Sequence, residues 1–249
     1  MKKTIISCVL FLTAVTAFSQ TPMKTAAEAK LSASDLAVKI ADRILATTTY
    51  EFKNTKTGKT YKSVKNLPLD MNVKVACKYN NWHYTNGVTH IALMELADKT
   101  GAKKYDDYVL KNMNFVFNEG NLDFFKKQYD QAMKNEGWYG VRKLSWHMIF
   151  RGKRLDDNGP MGASLIDLQM KHPNNSFLNY INETAEHLNY GEPRLADGTI
   201  ARIWPHENTI WADDAFMAIS FLARMAKMTG DMSYINDAAN QVIKYHKYL

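Results

Sequence analysis

Apolar residues recur every three to four positions along almost the whole chain, the period of a helix with one buried face. Ser34 is placed to cap a helix over residues 35–48, with Leu36, Ile40, Ile44 and Leu45 on one side. Residues 50–74 break the pattern: they are rich in Thr, Lys and Asn, contain Gly58 and Pro68, and read as a long connection with room for a short hairpin. Helical spacing resumes over residues 85–99, with Gly101 in the usual terminating position, and again over 105–118 and 212–227. No stretch alternates convincingly as a strand does.

A weak repeat organises these helices. Thr100-Gly101-Ala102-Lys103-Lys104-Tyr105 is echoed by Thr229-Gly230-Asp231-Met232-Ser233-Tyr234. Each copy closes one helix with Gly and opens the next near Tyr, and His172-Pro173-Asn174-Asn175 occupies a similar junction between them. The expectation is an all-α chain of stacked helical hairpins. A closed toroid of such hairpins needs about six, and the chain holds roughly three, so it reads as the N-terminal part of a single larger domain.

The first residues follow a different rule. Lys2 and Lys3, the apolar run from Ile5 to Ala17 and the small-residue site ending at Ser19 predict a signal peptide over residues 1–19. The run is too short for a membrane span, so the expected product is an exported, periplasmic or extracellular protein, residues 20–249, without a membrane anchor. Cys8 lies in this leader, which leaves Cys77 alone and excludes an internal disulfide or a cysteine zinc site. The formal charge is +7, or about +5 once Lys2 and Lys3 are removed (7 minus 2). That balance suits an anionic ligand, but the basic residues are scattered and no run of them alternates with aromatics, so nucleic acid is not the expected partner.

Two acidic motifs carry the chemistry: LDDNGPMGA, residues 155–163, and WADDAFM, residues 211–217. Each also fits a plain helix start. In the first, Asp157 or Asn158 would cap and Pro160 would take the first turn; in the second, Asp213 and Asp214 would be first-turn acids favoured by the helix dipole. Adjacent helix positions point about 100° apart, so one residue of each pair is expected to face a cavity. Spacing alone does not choose between Asp213, on a face with Phe216, Met217 and Ser220, and Asp214, on a face with Ala218 and Phe221. Trp82, Tyr84, Trp138, Tyr139, Trp146, Trp204 and Trp211 are candidate stacking platforms for sugar rings, with His147 and His206 as polar partners.

LDDNGPMGA, the segment RIWPHENTIWADDAFMAISFLARMAKMTGD and the earlier NNWHYTNGVTHIALMELADKTG together resemble the unsaturated glucuronyl and rhamnogalacturonyl hydrolases, glycoside hydrolase families 88 and 105, family 105 more closely. The resemblance implies an (α/α)6 barrel, incomplete in this chain, and hydrolysis of oligosaccharides that carry a Δ4,5-unsaturated uronic acid at the non-reducing end, with no metal or cofactor. It implies Asp213 as the acid/base and either Asp156 or Asp157 as the assisting carboxylate, with Asp156 slightly favoured because the family's Leu-Asp pair matches Leu155-Asp156. Trp211, Trp204, Arg202, His206 and Trp146 are the candidate sugar contacts, Arg202 for the uronate carboxylate. An inactive carbohydrate-binding remnant and an inverting glycosidase on saturated sugars are the alternatives.

Overall fold

The computed structural model describes residues 32–152 and 154–249, so the leader expected over residues 1–19 lies outside the described residues. Helix α1 spans Ala33–Thr47, and its cap is Ser32 rather than Ser34: the Ser32 Oγ accepts the Asp35 N–H at 3.1 Å. Three short strands follow, β1 (Phe52–Asn54), β2 (Thr60–Tyr61) and β3 (Val73–Val75), with β1 central and both neighbours antiparallel to it. The connection at 50–74 thus holds a small sheet as well as the anticipated hairpin. Its strands are two or three residues long, too short to show an alternation.

The rest is helical: α2 (Tyr84–Thr100), α3 (Lys104–Val116), α4 (Glu119–Glu136), α5 (Trp138–Val141), α6 (Met148–Arg151), α7 (Leu155–Lys171), α8 (Asn175–Glu186), a π turn at His187–Gly191, α9 (Ala212–Thr229) and α10 (Met232–Tyr248). This is the expected all-α architecture of helical hairpins, α2–α3, α7–α8 and α9–α10, of the kind that builds a toroid. Both copies of the Thr-Gly repeat do the same work. Gly101 (φ 72°) and Gly230 (φ 75°) sit in the left-handed region that favours glycine, and their N–H groups bond Ala97 O at 2.8 Å and Ala226 O at 2.9 Å. Thr100 and Thr229 each turn a hydroxyl back to the carbonyl four residues earlier.

Helices α2, α7 and α9 pack side by side, with α7 in the middle and buried on almost every face from Asp157 to Ile166. Glycine makes this possible. A Cβ on Gly87 of α2 would lie 2.4 Å from the Pro160 carbonyl carbon of α7, and one on Gly159 of α7 would lie 2.5 Å from the Met217 carbonyl oxygen of α9. Gly87, Gly159, Pro160 and Met217 all lie within the first six residues of their helices, and further along Lys171 of α7 reaches Asp98 of α2 at 2.9 Å and Arg224 of α9 reaches Asp167 of α7 at 2.7 Å, so the three helices run in one direction with their starts level.

The first motif departs from its predicted cap. Helix α7 begins at Leu155 with Arg154 at the cap position and no side-chain cap bond. Asp157 and Asn158 are therefore inside the helix, and Pro160 is its sixth residue, where it offers no N–H to the Asp156 carbonyl.

Candidate active site

Because α2, α7 and α9 start level, their first residues share one end of the bundle: His83 before α2, Asp156 and Asp157 in α7, Asp213 and Asp214 in α9. Three helix N-termini side by side favour negative charge there.

The residue that joins the starts of α7 and α9 is Arg202. Its backbone is fixed by pairing with Thr209, with Arg202 N–H to Thr209 O at 2.7 Å and the return bond at 3.3 Å. Helix α10 pins the same segment, as the Tyr245 hydroxyl donates to Ile200 O at 3.2 Å and Gln241 Oε1 accepts the Ile200 N–H at 2.9 Å. From this anchored position the guanidinium gives Nε and Nη2 to the two Asp214 oxygens, both at 2.6 Å, and Nη2 also reaches Asp156 Oδ1 at 3.0 Å. It lies over the Trp211 ring at 4.1 Å from the centroid. Burial works against the charge on Arg202, but Asp214 and Asp156 hold its pKa above the ordinary value. Arg202, the candidate uronate contact, is thus already engaged by two carboxylates.

The paired aspartates divide their roles cleanly. The Asp214 side chain is 1% exposed and faces inward, and burial pushes its carboxyl up against the pull of Arg202. Asp213 is exposed at the first turn of the same helix. Asp156, 27% exposed, turns toward Arg202, whereas Asp157 is fully buried and turns to the other side, where both its oxygens are held by Arg151. The Asp157 backbone carbonyl also accepts the Trp82 indole N–H at 2.8 Å. Burial raises the Asp157 pKa, and Arg151 opposes it. Asp213 is therefore exposed at the common end and Asp156 half-buried beside Arg202, while Asp157 and Asp214 are buried and each held by an arginine through both oxygens.

The aromatic candidates separate in the same way. Trp211 and Trp204 are solvent-accessible, with the Arg154 guanidinium 5.8 Å from the Trp204 ring centroid. His206 is exposed in the loop between them, and its backbone carbonyl accepts the Thr209 hydroxyl at 2.6 Å. Trp146 corrects the expectation of a sugar platform: it is buried between Phe115 and Phe125, ring centroids 6.2 and 5.8 Å away, and offers no face to a ligand. An aromatic ring is as much a core residue as a stacking platform, and here it is core.

Four residues at this end are not among the sequence candidates. Arg151 precedes its partner Asp157 by six positions, outside any helical pairing rule, and it also lies 4.9 Å from the Trp138 ring centroid. His83 caps α2, with Nδ1 accepting the Thr85 N–H at 3.4 Å, and burial lowers its pKa against the pull of Asp156 and Asp157. His187 and Glu192 bracket the π turn, a local change of helical register that composition does not announce. Among the described residues no group of three or more His, Cys, Asp or Glu side chains is placed to hold a metal ion, and no helix is long and apolar enough to cross a membrane.

Residues 55–249 match the family model described as Glycosyl Hydrolase Family 88. The fold is similar to that of a crystal structure of a possible member of the GH105 family from Salmonella enterica serovar Paratyphi A, with a TM-score of 0.52 and 14% identity over 87% of this chain and 49% of that one. A second such structure, from Klebsiella pneumoniae, gives a TM-score of 0.52 and 13% identity over 89% of this chain and 49% of that one. The chain thus spans about half the length of the solved structures it matches. No curated protein matches it.

Proposed function

We propose, from the premise that the chain belongs to glycosyl hydrolase family 88, that it serves as a glycosidase releasing a Δ4,5-unsaturated uronic acid from the non-reducing end of oligosaccharides left by polysaccharide lyases. The observation that carries this reading is the level start of α2, α7 and α9, which brings the exposed Asp213 and the half-buried Asp156 to one end of the bundle, with the accessible rings of Trp204 and Trp211 on the adjoining segment.

In this reading Asp213 is the acid/base. Its carboxyl protonates C4 of the enol ether, and as carboxylate it then takes a proton from the water that adds to C5. The hemiketal so formed opens and releases the neighbouring sugar. Asp156 holds negative charge near the reacting ring, and its bond to Arg202 fixes its direction. Asp157 and Asp214 act as supports, each held by an arginine. Trp211 offers a stacking face stiffened from behind by Arg202, and Trp204 and His206 lie on the adjoining loop. The resemblance of the two acidic motifs to family 105 makes a rhamnogalacturonan-type oligosaccharide the first substrate to try. The leader expected at residues 1–19 supports export, with the enzyme meeting lyase products outside the cytoplasm.

The test is direct. The chain is incubated with lyase-generated unsaturated disaccharides, and loss of the ultraviolet absorbance of the double bond is followed. Turnover of an unsaturated disaccharide but not of its saturated counterpart is expected. Hydrolysis of the saturated sugar at a comparable rate would overturn the reading in favour of ordinary glycoside hydrolysis.

A further inference from the structure

Behind Arg202 lies a carboxyl that the proposed chemistry does not use. At the end of α8 the chain passes through the π turn, and the Glu192 N–H bonds His187 O at 2.8 Å. The Glu192 side chain folds back so that Oε2 lies 2.8 Å from His187 Nε2. Gly191 makes room for the ring, since a Cβ there would lie 2.5 Å from His187 Nδ1. The Glu192 side chain is only 6% exposed.

Its charged surroundings come from every neighbouring element. Asp156 of α7 and Asp214 of α9 face it with like charge; Arg194 and Arg202 face it from the connecting loop; Tyr245 faces it from α10. Both guanidinium groups are committed elsewhere. Arg194 binds Asp237 at 2.8 and 3.0 Å together with the carbonyls of Leu188 and Gly198, and Arg202 binds Asp214 and Asp156. Among the described residues, the Glu192 carboxyl makes its side-chain hydrogen bond with the His187 ring.

We propose that His187 and Glu192 form a proton-holding pair that positions the Arg202–Asp214–Asp156 network and controls its attraction for an anionic sugar. With one shared proton the pair is neutral, whichever ring nitrogen or carboxyl oxygen carries it. Without that proton it adds one negative charge behind Arg202, at a site already holding Asp156 and Asp214. Burial, and then Asp214, push the Glu192 carboxyl up to about 8, which places the change just above neutrality. An anionic substrate would meet the neutral pair below that point and a repelling one above it. Glu192 is a positioning residue here: it acts through Arg202 and does not touch the sugar. The second half of the proposal rests on the function proposed above; the first half does not.

Two measurements on the wild-type chain and on Glu192→Gln test it. The first is the denaturant midpoint between pH 4.5 and pH 9. A carboxyl held above its unfolded value takes up protons on folding, so its contribution is full below about 4.5 and is lost as pH rises toward about 8. The wild type should lose stability relative to Glu192→Gln across that window, and parallel curves would overturn the proton-holding pair. The second is KM for an unsaturated uronate disaccharide. It should rise on the order of fivefold in the wild type from pH 7 to pH 9, while kcat changes little and Glu192→Gln stays flat over the same range. The same rise in both proteins would overturn control of the anion site. Absence of any turnover would overturn the proposed function, yet the denaturation curves would still decide the pair. Should Glu192→Gln not fold, Gly191→Ala displaces the His187 ring and should shift the same inflexions.

Discussion

Gly159 of α7 and Met217 of α9 approach so closely that their backbones touch: a Cβ on Gly159 would lie 2.5 Å from the Met217 carbonyl oxygen and 3.0 Å from its Cα. Neither atom belongs to a flexible side chain, so the contact cannot be relieved by a rotamer change. Gly159→Ala should cost about 1–3 kcal/mol or more, as overpacking does. It should also lower turnover beyond what lost stability explains, because Asp156 and Asp213 ride on these two helices. Denaturant unfolding beside activity on the folded fraction measures both, and an unchanged midpoint would contradict the close approach.

Asp157 and Arg151 form a largely buried ion pair, with the carboxylate fully buried. Arg151→Met leaves that carboxylate unpaired and should destabilise the fold by about 3–5 kcal/mol. Converting both partners to apolar residues, Arg151→Met with Asp157→Leu, should recover much of the loss, since neither charge is then stranded. A double-mutant cycle on unfolding free energies checks this, and equal losses in single and double variants would refute it.

Asp213 and Asp214 should answer oppositely to the same substitution. Asp213 is exposed, so Asp213→Asn should leave the unfolding midpoint in place and abolish turnover. Asp214 is buried against Arg202, so Asp214→Asn should lower the unfolding free energy by roughly 1–3 kcal/mol, and the midpoint with it, through a weakened bidentate bond. Persistent turnover in Asp213→Asn would remove Asp213 from the acid/base role.

Two histidines set an acid limit. Burial lowers both His90 and His147 to about 4, and each has one ring nitrogen, His90 Nδ1 and His147 Nε2, without a hydrogen-bond partner. A histidine depressed in the folded state binds its proton more readily when unfolded. Stability should therefore fall as pH drops from about 6.5 toward about 4 and level off below, by up to about 1.4 kcal/mol per pH unit for each ring. His90→Gln should remove one proton's worth of that slope in unfolding measurements at pH 4, 5, 6 and 7. An unchanged slope would mean that His90 is protonated in the fold.

The repeat and the helical period carried the architecture into the sequence, because Gly101 and Gly230 must adopt the same left-handed cap and Thr100 and Thr229 the same back-bond. The acidic motifs stood out in the sequence as candidates, but their geometry did not. Which aspartate of each pair faces outward depends on Arg151 and Arg202, whose positions come from tertiary packing and not from spacing. The start of α7 was misplaced for a related reason: cap rules assign Asp157 or Asn158 to the end, but Asp157 is drawn inward by Arg151, and Asn158 bonds Gly152 O at 3.0 Å and the Tyr180 hydroxyl at 3.0 Å. Trp146 and Trp211 look alike in sequence, and only packing distinguishes the buried ring from the accessible one. Glu192 gave no signal because one π turn, invisible in composition, returns it to His187.

The glycine contacts that join α2, α7 and α9 have a mechanical consequence. Where helices meet through side chains, their spacing drifts whenever a neighbouring residue is exchanged for a larger or smaller one. Here the limit is main chain against main chain, at Gly87 with Pro160 and at Gly159 with Met217, so the bundle carries its own gauge for the gap between Asp156 and Asp213. Exchanges at the accessible Trp204 and Trp211 should therefore leave that gap unchanged.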